Sequence, residues 1–226
     1  EIPEDMESLF IKLFYINNSQ ISTINAHYIG LCIVQYYKSL KKPSYWTILP
    51  IFQEEVLKQN LTVIIIFGIF TRHLCDSFKS KLPPSISFLL QCTTESLQPH
   101  ICQFFRRVIK GSGSFLKSSV QEIFGFIFRG ASSTNEALRI EAVKTLPCLM
   151  SCAQIQRKKL LPIVGLSLGT TSRALRDASA KALAKLMFFS TKEQKDEDVQ
   201  SDKYFNIAFK IMLQFMGNKK NIPTLS

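Results

Sequence analysis

The sequence predicts an all-α fold, an α-solenoid of stacked antiparallel helical hairpins, and three observations carry that expectation. Apolar residues recur at spacings of three and four through most of the chain, whereas alternating runs are short and hairpin dipeptides such as Asn-Gly are absent. Capping residues, prolines and Gly/Ser clusters divide the pattern into helix-length pieces. Segment 160–186, LLPIVGLSLGTTSRALRDASAKALAKL, reads as two short amphipathic helices around a Gly-Thr-Thr-Ser turn. Its second half carries Leu175, Arg176, Ala178, Ala180, Ala182, Leu183 and Leu186, and a weaker copy lies upstream at Leu138, Arg139, Ala142, Leu146 and Leu149. Arg139 and Arg176 are 37 residues apart, within the range of helical-repeat periods.

The elements follow in order. Pro3, Glu4, Asp5 and Glu7 suit a first helical turn, with acids at the positive end of the dipole, so a helix is expected from there to about Asn17. A second runs from Ser22 to Leu40, and Lys41-Lys42-Pro43-Ser44 breaks it. Ser44 can cap a helix through Gln59 that Pro50 should kink. An apolar helix over 61–80 stops before Leu82-Pro83-Pro84, and helices near 84–95 and 97–110 precede Gly111-Ser112-Gly113. Two hairpins follow, pairing 114–129 with 134–151 and 155–168 with 172–189. Residues 1–190 thus form the solenoid segment, 191–203 read as an exposed linker, and 204–226 begin a further helical repeat.

Composition sets the outer limits. With 46% hydrophobic and 20% charged residues, a chain of 226 can bury a substantial core and is too apolar to be mostly disordered. It opens at Glu1 and ends in the loop-like NIPTLS, as expected of a piece of a longer protein. The longest apolar run, 61–70, is about half of what a bilayer requires, so no transmembrane segment is expected. Six cysteines, at 32, 75, 92, 102, 148 and 152, lie in apolar segments without a CxxC pair, the distribution of reduced core thiols in the cytosol or nucleus.

Catalytic and metal chemistry find no frame. Cys148 and Cys152 are four apart, yet zinc would need two more ligands that the neighbourhood does not supply. His73, Cys75, Cys92, His100 and Cys102 match no ligand spacing, and Gly111-Ser-Gly113-Ser lacks the Lys-Ser/Thr of a phosphate loop. No nucleophile elbow is present, carboxylates are few, and the Phe124-Gly-Phe126-Ile-Phe128 run reads as core. The expectation is a non-enzymatic chain with no cofactor.

Charge is the remaining functional signal. Residues 1–103 hold 8 basic and 8 acidic side chains, 104–185 hold 14 and 4, and 186–226 hold 6 and 5. The candidate partner-binding residues are therefore Arg106, Arg107 and Lys110, then Arg157, Lys158 and Lys159, then Lys181 and Lys185. Such a block offers a surface to an acidic peptide or anionic lipid headgroups, against the plain alternative of a solvated face with cations at helix C-termini. Nucleic acid is disfavoured, because no reading motif accompanies the cations and the aromatics follow core periodicity. Arg139 and Arg176 read as structural, bridging neighbouring hairpins. Self-association is left open.

The Leu-Arg-x-Ala pattern of 175–186 is that of the second helix of a HEAT/armadillo-like hairpin. A longer arrangement narrows the resemblance: Gly68-Ile69-Phe70 heading a helix, Leu82-Pro83-Pro84 before Leu89-Leu90, Val108-Ile109-Lys110-Gly111, and Asn135-Glu136-Ala137-Leu138-Arg139 with Ala142-Val143. In order and spacing, roughly residues 60–190 resemble the amino-terminal region of the large HEAT-repeat proteins that accompany the clathrin adaptor complex of the trans-Golgi network and endosomes. The resemblance implies a cytoplasmic scaffold, peripheral at those membranes, with the adaptor complex or its accessory proteins as partners. The other reading is a nuclear transport or chromosome-associated HEAT-repeat protein whose basic face meets acidic cargo or nucleic acid.

Overall fold

A computed structural model describes residues 6–14, 21–40, 48–74, 82–112, 116, 118–152, 157–193 and 210. Among them all regular structure is helical: α1 Met6–Phe14, α2 Thr23–Ser39, α3 Ile48–Leu57, α4 Leu61–Leu74, α5 Pro83–Leu90, α6 Gln98–Ser112, α7 Val120–Ala131, α8 Glu136–Thr145, α9 Arg157–Leu168 and α10 Arg173–Glu193, with a 3-10 segment over Leu146–Cys152. The chain divides into two compact units, Glu1–Ser119 and Val120–Ser226.

The even-numbered helices begin at Thr23, Leu61, Gln98, Glu136 and Arg173, at intervals of 38, 37, 38 and 37 residues. Four of these starts are fixed by a side chain that accepts a hydrogen bond from the backbone amide three residues on: Ser22 from Asn25 (3.2 Å), Asn60 from Val63 (3.2 Å), Asn135 from Leu138 (3.1 Å) and Ser172 from Leu175 (3.2 Å). Each satisfies an amide that a helix terminus leaves without a partner. The sequence signal for one such interval was the Arg139–Arg176 pair; the four capped starts share this geometry through Ser or Asn.

In the amino-terminal unit α4 packs on α2 and α6, while α3 packs on α1, α4 and α5. The α2–α4–α6 contacts are parallel. A Cβ placed on Gly30 would come 2.8 Å from Ile69 Cδ1, and further along Tyr37 stacks edge-on with Phe70 at 5.5 Å. Likewise a Cβ on Gly68 would meet Phe104 Cδ2 at 3.3 Å, and one on Gly111 would meet Thr71 O at 2.7 Å. Between its neighbours α4 is buried at every position from Thr62 to Thr71. Phe52, Phe67, Phe70 and Phe104 extend one aromatic cluster with centroid separations of 5.0–5.6 Å, within the favourable range. The α3–α4 turn closes with Gln59 at φ 58°, and the Asn60 amide donates back to Glu55 O at 3.0 Å.

In the carboxy-terminal unit α8 packs on α7 and α10, and α9 packs on α10 and α7. Ala142 Cβ and Leu138 Cδ1 would each lie 3.2 Å from a Cβ on Gly130, so the missing side chain lets α7 and α8 approach closely. Leu175, Ala178, Ala182, Leu183 and Leu186 form the buried stripe of α10.

Several boundaries differ from expectation. The helix expected over 134–151 ends at Thr145 and tightens into the 3-10 segment, because Pro147 has no amide to donate and its ring crowds the preceding turn. Pro50 is the third residue of α3, and the expected Ser44 start of that helix lies outside the described residues. Gly111 and Ser112 belong to the last turn of α6 instead of ending it, with Gly111 held against the backbone of Thr71 and Arg72. Of the Phe124–Phe128 run, Phe126 is buried but Phe128 is 45% exposed, since residues two apart on a helix point in different directions. Cys92, Cys102 and Cys152 are buried, Cys148 is half-buried and Cys32 is exposed. α10 continues through Glu193; Ser44, Cys75 and most of 191–226 lie outside the described residues.

Candidate partner-binding surface

The eight sequence-predicted cations divide between the units, three in the first and five in the second. On α6, Ile101, Phe104, Phe105, Val108 and Ile109 form the buried stripe and leave Arg106 and Arg107 half-buried and Lys110 exposed. Arg107 reaches over α4, donating from Nη1 to the Ile65 carbonyl at 3.2 Å. It therefore ties two helices together as well as carrying charge.

Arg157, Lys158 and Lys159 occupy the first turn of α9, where the helix dipole is already positive. Lys159 is exposed there, where a cation works against local stability, and the side chains of Arg157 and Lys158 lie outside what the structure describes. Lys181 and Lys185, one turn apart on α10, are both exposed on the side away from the buried stripe. Arg176 does not bridge hairpins: its Nη1 donates to the Thr170 and Thr171 carbonyls at 3.0 and 2.7 Å, fastening the α9–α10 turn within its own hairpin. Ser172, at the start of α10, reaches the start of α8 instead: its hydroxyl donates to the Glu136 carboxylate.

Packing also reveals cations that regional charge counting missed. α2, α4 and α6 contain no Asp or Glu, but they carry Lys38, Arg72, Arg106, Arg107 and Lys110 together with all three histidines. The carboxylates on helices of this unit lie on α1 and α3, at Glu7, Glu54 and Glu55. Residues 1–103 therefore sum to zero while their charges are sorted by helix; counting by alternate helices would have exposed this. His27 on α2 is held below the ordinary histidine range by loss of solvent around its ring, then by Arg107 and Arg72. His73 on α4 is lowered by the same desolvation, then by Arg72 and Lys38. Cations of all three helices thus act on the histidines of α2 and α4.

Among the described residues no helix is long and apolar enough to cross a membrane, and no group of three or more His, Cys, Asp or Glu side chains is placed to hold a metal ion.

No protein-family model and no curated protein matches the chain. It is similar to a crystal structure of an engineered protein from the Northeast Structural Genomics Consortium, at 11% identity and a TM-score of 0.52, over 94% of this chain and 98% of that one. That likeness concerns the helical fold alone.

Proposed function

We propose that this chain is a segment of an α-solenoid of stacked helical hairpins that serves as a non-enzymatic, protein-binding scaffold in clathrin-adaptor-dependent traffic at the trans-Golgi network and endosomes. The observation that carries the scaffold reading is the recurrence of the even-helix starts every 37 or 38 residues, with each of these helices laid parallel to the next within the amino-terminal unit. Arrays of that kind present long, ordered faces to other macromolecules. The basic side chains on the even helices and at the start of α9 favour acidic partners. The trafficking assignment rests on the resemblance of residues 60–190 to the adaptor-associated HEAT-repeat proteins.

The test is capture from cytosol on the immobilised chain. Recovery of clathrin adaptor components supports the assignment. Recovery of importins, histones or nucleic acid in their place would overturn it and favour the nuclear reading.

A further inference from the structure

The parallel packing of α2, α4 and α6 brings their carboxy-terminal ends together, and each last turn holds an exposed cation: Lys38, Arg72 and Lys110. A Cβ on Gly111 would come 2.9 Å from Arg72 Cα, so the end of α6 abuts the end of α4, and the field of Lys38 reaches His73 on the other side. We propose that Lys38, Arg72 and Lys110 form a cationic row that takes an extended acidic segment of a partner protein. The proposal rests on the reading of the chain as a protein-binding scaffold and names the chemistry of one partner.

Three considerations fix that chemistry. Each helix dipole places roughly half a negative charge at this end, and one full cation per helix more than offsets it. The three helices bring no carboxylate to neutralise the remainder. Helices packed side by side lie about 8–10 Å apart. A chain extended as a polyproline II helix advances about 3.1 Å per residue with three residues per turn, so that every third side chain points the same way about 9 Å on. Cations on successive helix ends therefore match side chains at every third position of an extended peptide. A single file of this kind suits a strand of carboxylates better than a membrane plane, where a broad cluster of about 4–8 basic residues is the usual device.

The experiment uses the full chain and a fluorescent peptide carrying Glu at every third position, read by anisotropy. Binding is expected to weaken about tenfold or more when Lys38, Arg72 and Lys110 are all changed to Glu, and to be unchanged by Lys12→Glu with Arg129→Glu, exposed cations on odd-numbered helices. Should the triple reversal fail to fold by circular dichroism, the triple change to Gln is expected to give a smaller loss in the same direction. A peptide with its Glu residues consecutive should bind more weakly. Equal binding of the two peptides, or of wild type and the Gln variant, overturns the row. So does displacement of the peptide by phosphatidylserine vesicles or single-stranded DNA at lower charge concentration than by unlabelled peptide. Cytosolic capture is repeated with the triple variant. Adaptor recovery without peptide binding by wild type overturns the row alone, whereas peptide binding without adaptor recovery overturns the trafficking assignment alone.

Discussion

Ser172 and Glu136, each beside the start of an even-numbered helix and 36 residues apart, are joined by a hydrogen bond from the Ser172 hydroxyl to the Glu136 carboxylate. The same hydroxyl oxygen accepts the Leu175 amide at 3.2 Å, so one side chain both begins α10 and fastens it to the start of α8. Ser172→Ala should cost about 1–2 kcal/mol, as loss of a helix cap does. Glu136→Ala should cost less, and a double-mutant cycle on thermal melts should return a nonzero coupling; strict additivity would mean that the link contributes nothing.

Glycines on the helices divide by what surrounds them. Gly111→Ala places a Cβ 2.7 Å from Thr71 O and 2.9 Å from Arg72 Cα, both backbone atoms that cannot turn aside, so destabilisation of about 1–3 kcal/mol is expected. Gly125→Ala meets nothing closer than Arg129 Nη1 at 3.7 Å and should stabilise by about 0.5–1 kcal/mol through helix propensity. Urea denaturation of the two variants checks the pair, and movement in the same direction would contradict the packing.

The α10 face gives a third contrast. Leu183 is 5% exposed, and Leu183→Asp should cost roughly 3–5 kcal/mol by forcing an unpaired charge into the core. Leu166 on α9 is 83% exposed, and Leu166→Asp should leave the melting temperature nearly unchanged. Equal losses would mean that the helix face is misassigned.

His27 and His73 set a pH dependence. Both are held below the ordinary histidine value in the folded chain, so the unfolded chain takes up their protons more readily. Their stabilisation is full above a pH of about 6.5 and is lost as pH falls through that value toward the folded pKa. Melting temperature should therefore drop between about pH 7.5 and 5.5, and the double change of His27 and His73 to Gln should make the drop shallower. An identical slope in that variant would sink the account. Added salt should also reduce the drop, because Arg72, Arg107 and Lys38 act on these rings through charge.

Much of the fold was legible because apolar spacing and caps are local signals. Ser22 opening α2 and the 160–186 hairpin are both in place, as a side-chain oxygen three residues before an apolar stripe has few other uses. Pro147 was visible too, but not that the chain would tighten around it instead of stopping. The recurrence of helix starts was mostly hidden, since Ser22, Asn60, Asn135 and Ser172 do the same work with two residue types, both common throughout the chain. The cationic row was hidden for a different reason. Glu54 and Glu55 cancel Lys38 and Arg72 in a regional count, and only packing shows that the helices carrying the cations, α2, α4 and α6, lie side by side.

α4 has ten consecutive residues, Thr62 to Thr71, that water does not reach. In deuterated solvent its amides should be the slowest in the amino-terminal unit to exchange, keeping their protons until the whole unit opens. α2 and α6 can fray individually at their outer edges while this helix keeps time. The rate at which its amides pick up deuterium would then measure the lifetime of the folded unit itself, and a partner that grips the neighbouring helix ends would register as a slowing of that clock.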